Sequence, residues 1–180
     1  MTVNAELARI YGDSSVFLAP FGTVLPSTID GALDPLFEDV GWINPDGMTE
    51  SLSGSVDKKR GFQKQGVIRT RVNEGGTSWT FVALENKAQT NSLRYIEKSV
   101  TVSEGVRKAV RSPGQRIAVR AAVIDFFDDD DDDVKARLII PRFEIAPNGD
   151  KTINNDLVNY PFIGEIIGDY TSFETDLEAA

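Results

Sequence analysis

Two segments rich in β-branched and aromatic residues, IAVRAAVIDFF (117–127) and VKARLIIPRFEI (134–145), flank an unbroken run of six aspartates, Asp128 to Asp133. Such composition favours strands, because branched and aromatic side chains fit a pleated, half-buried surface. If the two segments pair, each spans about thirteen residues, or roughly 43 Å at ~3.3 Å per residue. That exceeds the usual five or six residues of a strand. The ribbon is therefore expected to overrun a small sandwich and to project its acidic tip.

The rest of the composition excludes more than it specifies. The chain has 180 residues, 41 % of them hydrophobic, enough for one domain with its own core. It has no Cys and no His. Disulfides, thiolate nucleophiles, Cys/His zinc sites and triads with an imidazole base are all removed. No nucleophile, base and oxyanion donor assemble in the sequence, so no enzyme is expected, and no catalytic, cofactor-binding or metal-ligating residue is assigned. The formal charge is −9, and six of the acids sit in one run. A chain this acidic does not hold nucleic acid by neutralising phosphates. The first twenty residues carry acids early and no long apolar stretch, and no apolar run approaches the ~18 residues of a membrane span. A soluble product without a signal peptide is expected, made and kept in the cytoplasm at first.

Along the chain, Val16 to Pro20 reads as a short apolar strand. Phe21 to Gly47 is a long excursion rich in Gly, Pro and Asp, in which Asp34, Pro35 and Gly41 can cap, open and terminate a short helix. Its interleaved Leu25, Ile29, Leu33, Leu36, Phe37, Val40 and Trp42 must pack on their own body or on a neighbour. Thr49 to Asp57 reads as a strand, followed by a basic turn from Lys58 to Gly61. Gln65–Val72 and Ser78–Glu85 alternate as strands on either side of Asn73-Glu74-Gly75-Gly76, predicting a hairpin. A helix is expected from Asn86 to Glu97, an Asn-Gly turn at 147–150 and a last strand from Tyr160 to Ile167. The expected fold is mainly β: two packed antiparallel sheets, a sandwich or half-barrel, with one flanking α-helix and long extended loops. One domain covers 1–180, with an N-terminal excursion at about 21–48 and a C-terminal arm at about 168–180.

Few motifs carry chemistry. Calcium loops space their ligands at alternate positions and turn on a glycine, so Asp128, Asp129, Asp130, Asp131, Asp132 and Asp133 read as a solvated, self-repelling loop, a candidate lumen or surface element. Gly61 and Gly66 have P-loop spacing, but Val67 and Ile68 stand where Lys and Ser/Thr are needed. Leu33, Leu36, Phe37, Trp42, Lys58, Lys59 and Arg60 are candidate subunit contacts. Arg107, Lys108 and Arg111 read as a solvated loop, with pairing to a neighbour's acids as the other reading; Trp42 and Trp79 read as core or interface anchors.

The order of these parts resembles the major tail tube proteins of long-tailed bacteriophages, particularly those of actinobacterial hosts. The resemblance rests on Ala19-Pro20-Phe21-Gly22-Thr23, on the stretch from Leu36 to Ser51, on Trp79 to Glu85 leading into the helix, and on the late hairpin from Pro141 to Gly149 followed by Tyr160-Pro161-Phe162. It implies two packed sheets with a flanking helix, and hexameric rings stacked into a hollow tube that passes DNA without gripping it. It also implies partners among the tape measure, tail terminator and distal tail proteins, and a place in the virion. Another class stays open: a carbohydrate- or surface-binding β-sandwich, such as a virion decoration or adhesion domain. An acid-pair hydrolase is a third, although no spacing singles out a carboxylate pair.

Overall fold

The computed structural model describes residues 8–60, 62, 66–128 and 135–176. The strands are β1 (Tyr11–Pro20), β2 (Glu38–Asp39), β3 (Thr49–Arg60), β4 (Val67–Ala83), β5 (Ile96–Ser103), β6 (Val106–Ser112), β7 (Ala118–Asp128), β8 (Lys135–Pro147), β9 (Tyr160–Ile166) and β10 (Thr171–Glu174), with α1 (Ala88–Arg94) between β4 and β5. One antiparallel sheet runs in the order β2-β1-β7-β8-β9-β4-β3, with β10 also on β8, while β5 and β6 form a separate ribbon. The mainly-β class with two antiparallel sheets and a helix is therefore as expected, one sheet being large and the other small.

The branched, aromatic segments occupy the centre, as their composition requires. Ala122, Ile124, Ile140, Phe143 and Ile145 are fully buried. They join Val16 and Leu18 of β1, Phe81 of β4, Phe162 of β9 and Leu93 of α1 in one cluster, so strands far apart in the order share one interior. Residues 38–44 tie those distant strands together. β2 pairs with Phe17 and Leu18, and Val40 N–H donates to the Val16 carbonyl at 2.9 Å. A few residues later Ile43 bridges Ala83, with Leu84 N–H on the Trp42 carbonyl and Asn44 N–H on the Val82 carbonyl, each 2.9 Å. The sheet is thereby strapped into a half-barrel at the Ala83 end of β4.

The opposite face of β7 and β8 is covered too: Ala121, Val123 and Ile139 are buried there. Asp125 and Arg137 stand opposite each other in register and pair through two hydrogen bonds of 2.6 and 2.7 Å. Donating to the Asp125 carboxylate raises the Arg137 pKa. Arg137 also donates to the Gly31 carbonyl at 2.7 Å, and Lys135 pairs with Asp30. A buried, partnered charge thus fastens the excursion to the outer face.

Four expectations fail for local reasons. The short helix at 34–41 is a turn: Asp34 accepts the Leu36 N–H on its side chain and the Phe37 N–H on its carbonyl, and the chain then enters β2. An Asp side chain offers the backbone this alternative to a helix. The hairpin at Asn73–Gly76 does not exist. β4 runs unbroken through those residues for 17 residues and pairs with β3 instead, the glycines being absorbed at a register shift between Ser53 and Ser55. The helix covers only Ala88–Arg94, because Tyr95 turns extended and the alternating Ile96–Ser103 pairs with Val106–Ser112 through a Glu104-Gly105 turn, both at positive φ. Finally, over its described residues the β7–β8 ribbon does not overrun the body. β1 pairs along β7 from Pro20 to Tyr11, opposite Asp128, and β10 reaches Ala136 on β8. Asp129–Asp133 lie outside the described residues.

Candidate assembly surface

What projects is the β3–β4 hairpin. β9 pairs with β4 only from Thr77 to Ala83, whereas β3 follows β4 to Val67. Residues 67–76 of β4 therefore extend about 33 Å beyond the last strand that shares their other edge, at ~3.3 Å per residue. β3 is exposed along its length except for a half-buried Asp57. As the terminal strand it presents its outer backbone edge to the surroundings. Lys58, Lys59 and Arg60 lie at its far end, with Lys59 2.6 Å from Asp57. Arg69 and Arg71 stand opposite Lys59 and Asp57 on β4. The sequence reading missed these arginines as part of the set, because it assigned their strand to a different hairpin.

The excursion divides its apolar residues. Val40 enters the core, and Leu33 and Phe37 are half-buried. Leu36 and Trp42 remain 58 % and 77 % exposed. Trp42 is not loose, however. Its carbonyl accepts from Leu84, and its N–H donates to Glu85 Oε1 at 2.9 Å. That bond, then Lys87 at 2.9 Å, lowers the Glu85 pKa. Gly41, at φ 89°, lets the carboxylate close in: a Cβ there would lie 2.3 Å from Glu85 Oε1. A fixed backbone thus displays a large indole to solvent. Trp42 sits beside the Leu84 end of β4, and the basic residues beside its Val67 end. Trp42 and the basic residues therefore lie toward opposite ends of β4.

Between them the half-barrel opens into a trough of about 620 Å³, walled by Trp79, Phe126 and Tyr11. Phe126 stacks at 5.6 Å from Trp79 and 5.5 Å from Tyr11. Asp46, Glu50 and Glu174 also line it. Alternation alone marks Trp79 and Phe126 as facing one side, but only the curl of the sheet brings β1, β4 and β7 together.

The basic residues of β6 serve the chain's own structure. Arg107 binds both oxygens of Glu97 at 3.0 and 2.7 Å, and Arg111 reaches Glu97 and Asn91 while covering the Tyr95 ring at 3.7 Å. These pairs fix the β5–β6 ribbon against α1. Among the described residues no group of three or more acids is placed to hold a metal ion, and no helix is long and apolar enough to cross a membrane.

The comparison with curated proteins returned no match. Residues 1–159, most of the chain and all of the strap, the β3–β4 hairpin and the β7–β8 ribbon, match the family described as phage tail tube protein. The chain accordingly belongs to that family, one of structural components of the phage tail and not a class of enzymes.

Proposed function

We propose that copies of this chain close into hexameric rings, and that the rings stack into a hollow tail tube through which DNA passes into the host. The observation that carries the reading is β3: a twelve-residue terminal strand, exposed nearly throughout, on a body whose core is otherwise complete. Pairing such edges between copies removes them, as closure into a barrel does. Head-to-tail contacts then propagate a filament. The net charge of −9 favours a wall that repels phosphates, so DNA slides without being held. The single domain, its excursion and its C-terminal segment act in assembly; Thr171–Glu174 is already engaged as β10. Tape measure, terminator and distal tail proteins are the partners at the tube's lumen and ends, with assembly in the host cytoplasm. Light scattering after size exclusion, over a range of concentrations, with electron microscopy of the fractions, tests this. Rings or tubes are expected; a monomer at every concentration overturns it.

A further inference from the structure

The β3–β4 hairpin forms a projecting arm that is a charge island. Residues 53–76 hold six of the nineteen bases and two of the twenty-eight acids, a net of +4 against −13 for the remainder. At its apex Phe62 is fully exposed. The trough offers the complementary chemistry: a row of three aromatic rings with Asp46, Glu50 and Glu174 along it. Arg9, beside it, is committed to the Tyr11 hydroxyl and the Thr175 carbonyl. In the trough wall, Trp79 keeps its Nε1 buried with no acceptor among the described residues.

We propose that the arm of one copy seats in the trough of another, with Phe62 as the aromatic anchor and the arm's cations against Glu50 and Glu174. This rests on the self-assembly reading and names the two surfaces that meet. The contact is made in trans. Glu50 and Trp79 face each other close to the arm's root, whereas the apex lies some 33 Å beyond that root at ~3.3 Å per residue. A buried anchor ringed by contacts that exclude water is the usual form of an interface hot spot. Cations over the faces of Trp79, Phe126 and Tyr11 add to it. Because the arm and the trough are different surfaces, the contact is heterologous and gives the growing assembly a direction.

Two exposed sets of residues test it. An arm variant carries Phe62→Ser, Lys58→Glu and Lys59→Glu; a trough variant carries Glu50→Lys and Glu174→Lys. Circular dichroism should show both folded. Each alone is expected to need about tenfold more protein, or greater, before tubes elongate, and raised salt should weaken wild-type growth. Mixed together, the two variants should regain part of the lost growth, since the intact arm meets an intact trough and the reversed arm meets a trough of reversed charge. A chain carrying both charge reversals should regain part of the lost growth. Elongation of either variant at the wild-type concentration overturns this contact while leaving self-assembly standing. A wild-type chain that never assembles overturns both. Retardation of duplex DNA by the wild-type arm, with assembly unaffected by the variants, reassigns the arm to nucleic acid and also overturns the proposal.

Discussion

Gly164 is the tightest point in the interior. It lies in β9, opposite Trp79 on β4 and Ile145 on β8, so its backbone is held on both edges. A Cβ built there would stand 1.9 Å from Phe143 Cζ, and 2.2 and 2.5 Å from two further ring atoms. Phe143 is completely buried, so the ring has no solvent to swing into. For Gly164→Ala, two effects favour the variant: about 0.8 kcal/mol from burying a methyl group and about 0.4–1 kcal/mol from a stiffer unfolded chain. Against them stands displacement of the ring. Its packing is worth about 3–5 kcal/mol, judged by the usual cost of deleting a buried Phe side chain. The balance is a loss of about 1–4 kcal/mol. In a domain of this size that lowers Tm by about 2–16 °C. Denaturant and thermal unfolding of Gly164→Ala, Phe143→Leu and the double variant form a cycle. The double variant should be more stable than the sum of the single losses predicts, by about 1 kcal/mol or more, because the shorter side chain vacates the space. An unchanged Tm for Gly164→Ala, or strictly additive losses, would refute the reasoning.

Two further expectations concern the ribbon and the strap. The Glu97 carboxyl is held below its ordinary pKa, first by the hydrogen bonds from Arg107, against partial burial that pushes it up, and then by Arg111. A depressed carboxyl stabilises fully above its unfolded pKa and loses that contribution as pH falls through the folded value. Wild type should therefore exceed Glu97→Gln in stability at neutral pH, with the gap closing below about pH 4.5; a gap that stays constant down to acid unfolding would contradict it. Leu36→Ser with Trp42→Ser removes exposed side chains, so stability should change by no more than about 0.5 kcal/mol per site, while ring or tube formation by light scattering should weaken. Unaltered assembly would take those two residues out of the contact set.

The centre of the fold was legible because its signal is local. Two runs of branched residues separated by a charged break can hardly be anything but paired strands, and β7 and β8 are those strands. The apolar character of Val40 was legible as burial of some kind, though not that it enters the core beside Val16. What local pattern could not supply was partnership. Ser78–Glu85 alternates equally well whether it pairs with Gln65–Val72 or continues from it, and Asn73-Glu74-Gly75-Gly76 is acceptable as a turn or as a bulged strand. The choice was made by β9, which binds β4 from 77 to 83, and by β3, which is long enough to follow it to 67. Missing that pairing hid the arm. The Glu104-Gly105 turn was different: Ile96 to Val110 alternates around it, a hairpin pattern overlooked because the helical reading claimed its first residues.

The arm's charge answers a problem that its exposed backbone creates. Free copies carrying an exposed twelve-residue strand at the end of the sheet would be expected to join arm to arm, edge against edge, in no fixed direction. With Lys58, Lys59 and Arg60 at the end of that edge, and Arg69 and Arg71 on the strand beside it, two arms repel each other. The same cations are drawn toward a body of opposite sign. One set of residues therefore blocks the symmetric contact and favours the asymmetric one. This is what a chain needs if it is to stay dispersed while dilute and still grow in one direction when copies accumulate. On this argument, neutralising the arm's cations while keeping Phe62 removes the repulsion as well as the attraction. The product should be irregular aggregate rather than a stable monomer, and that distinguishes a steering charge from one that serves solubility alone.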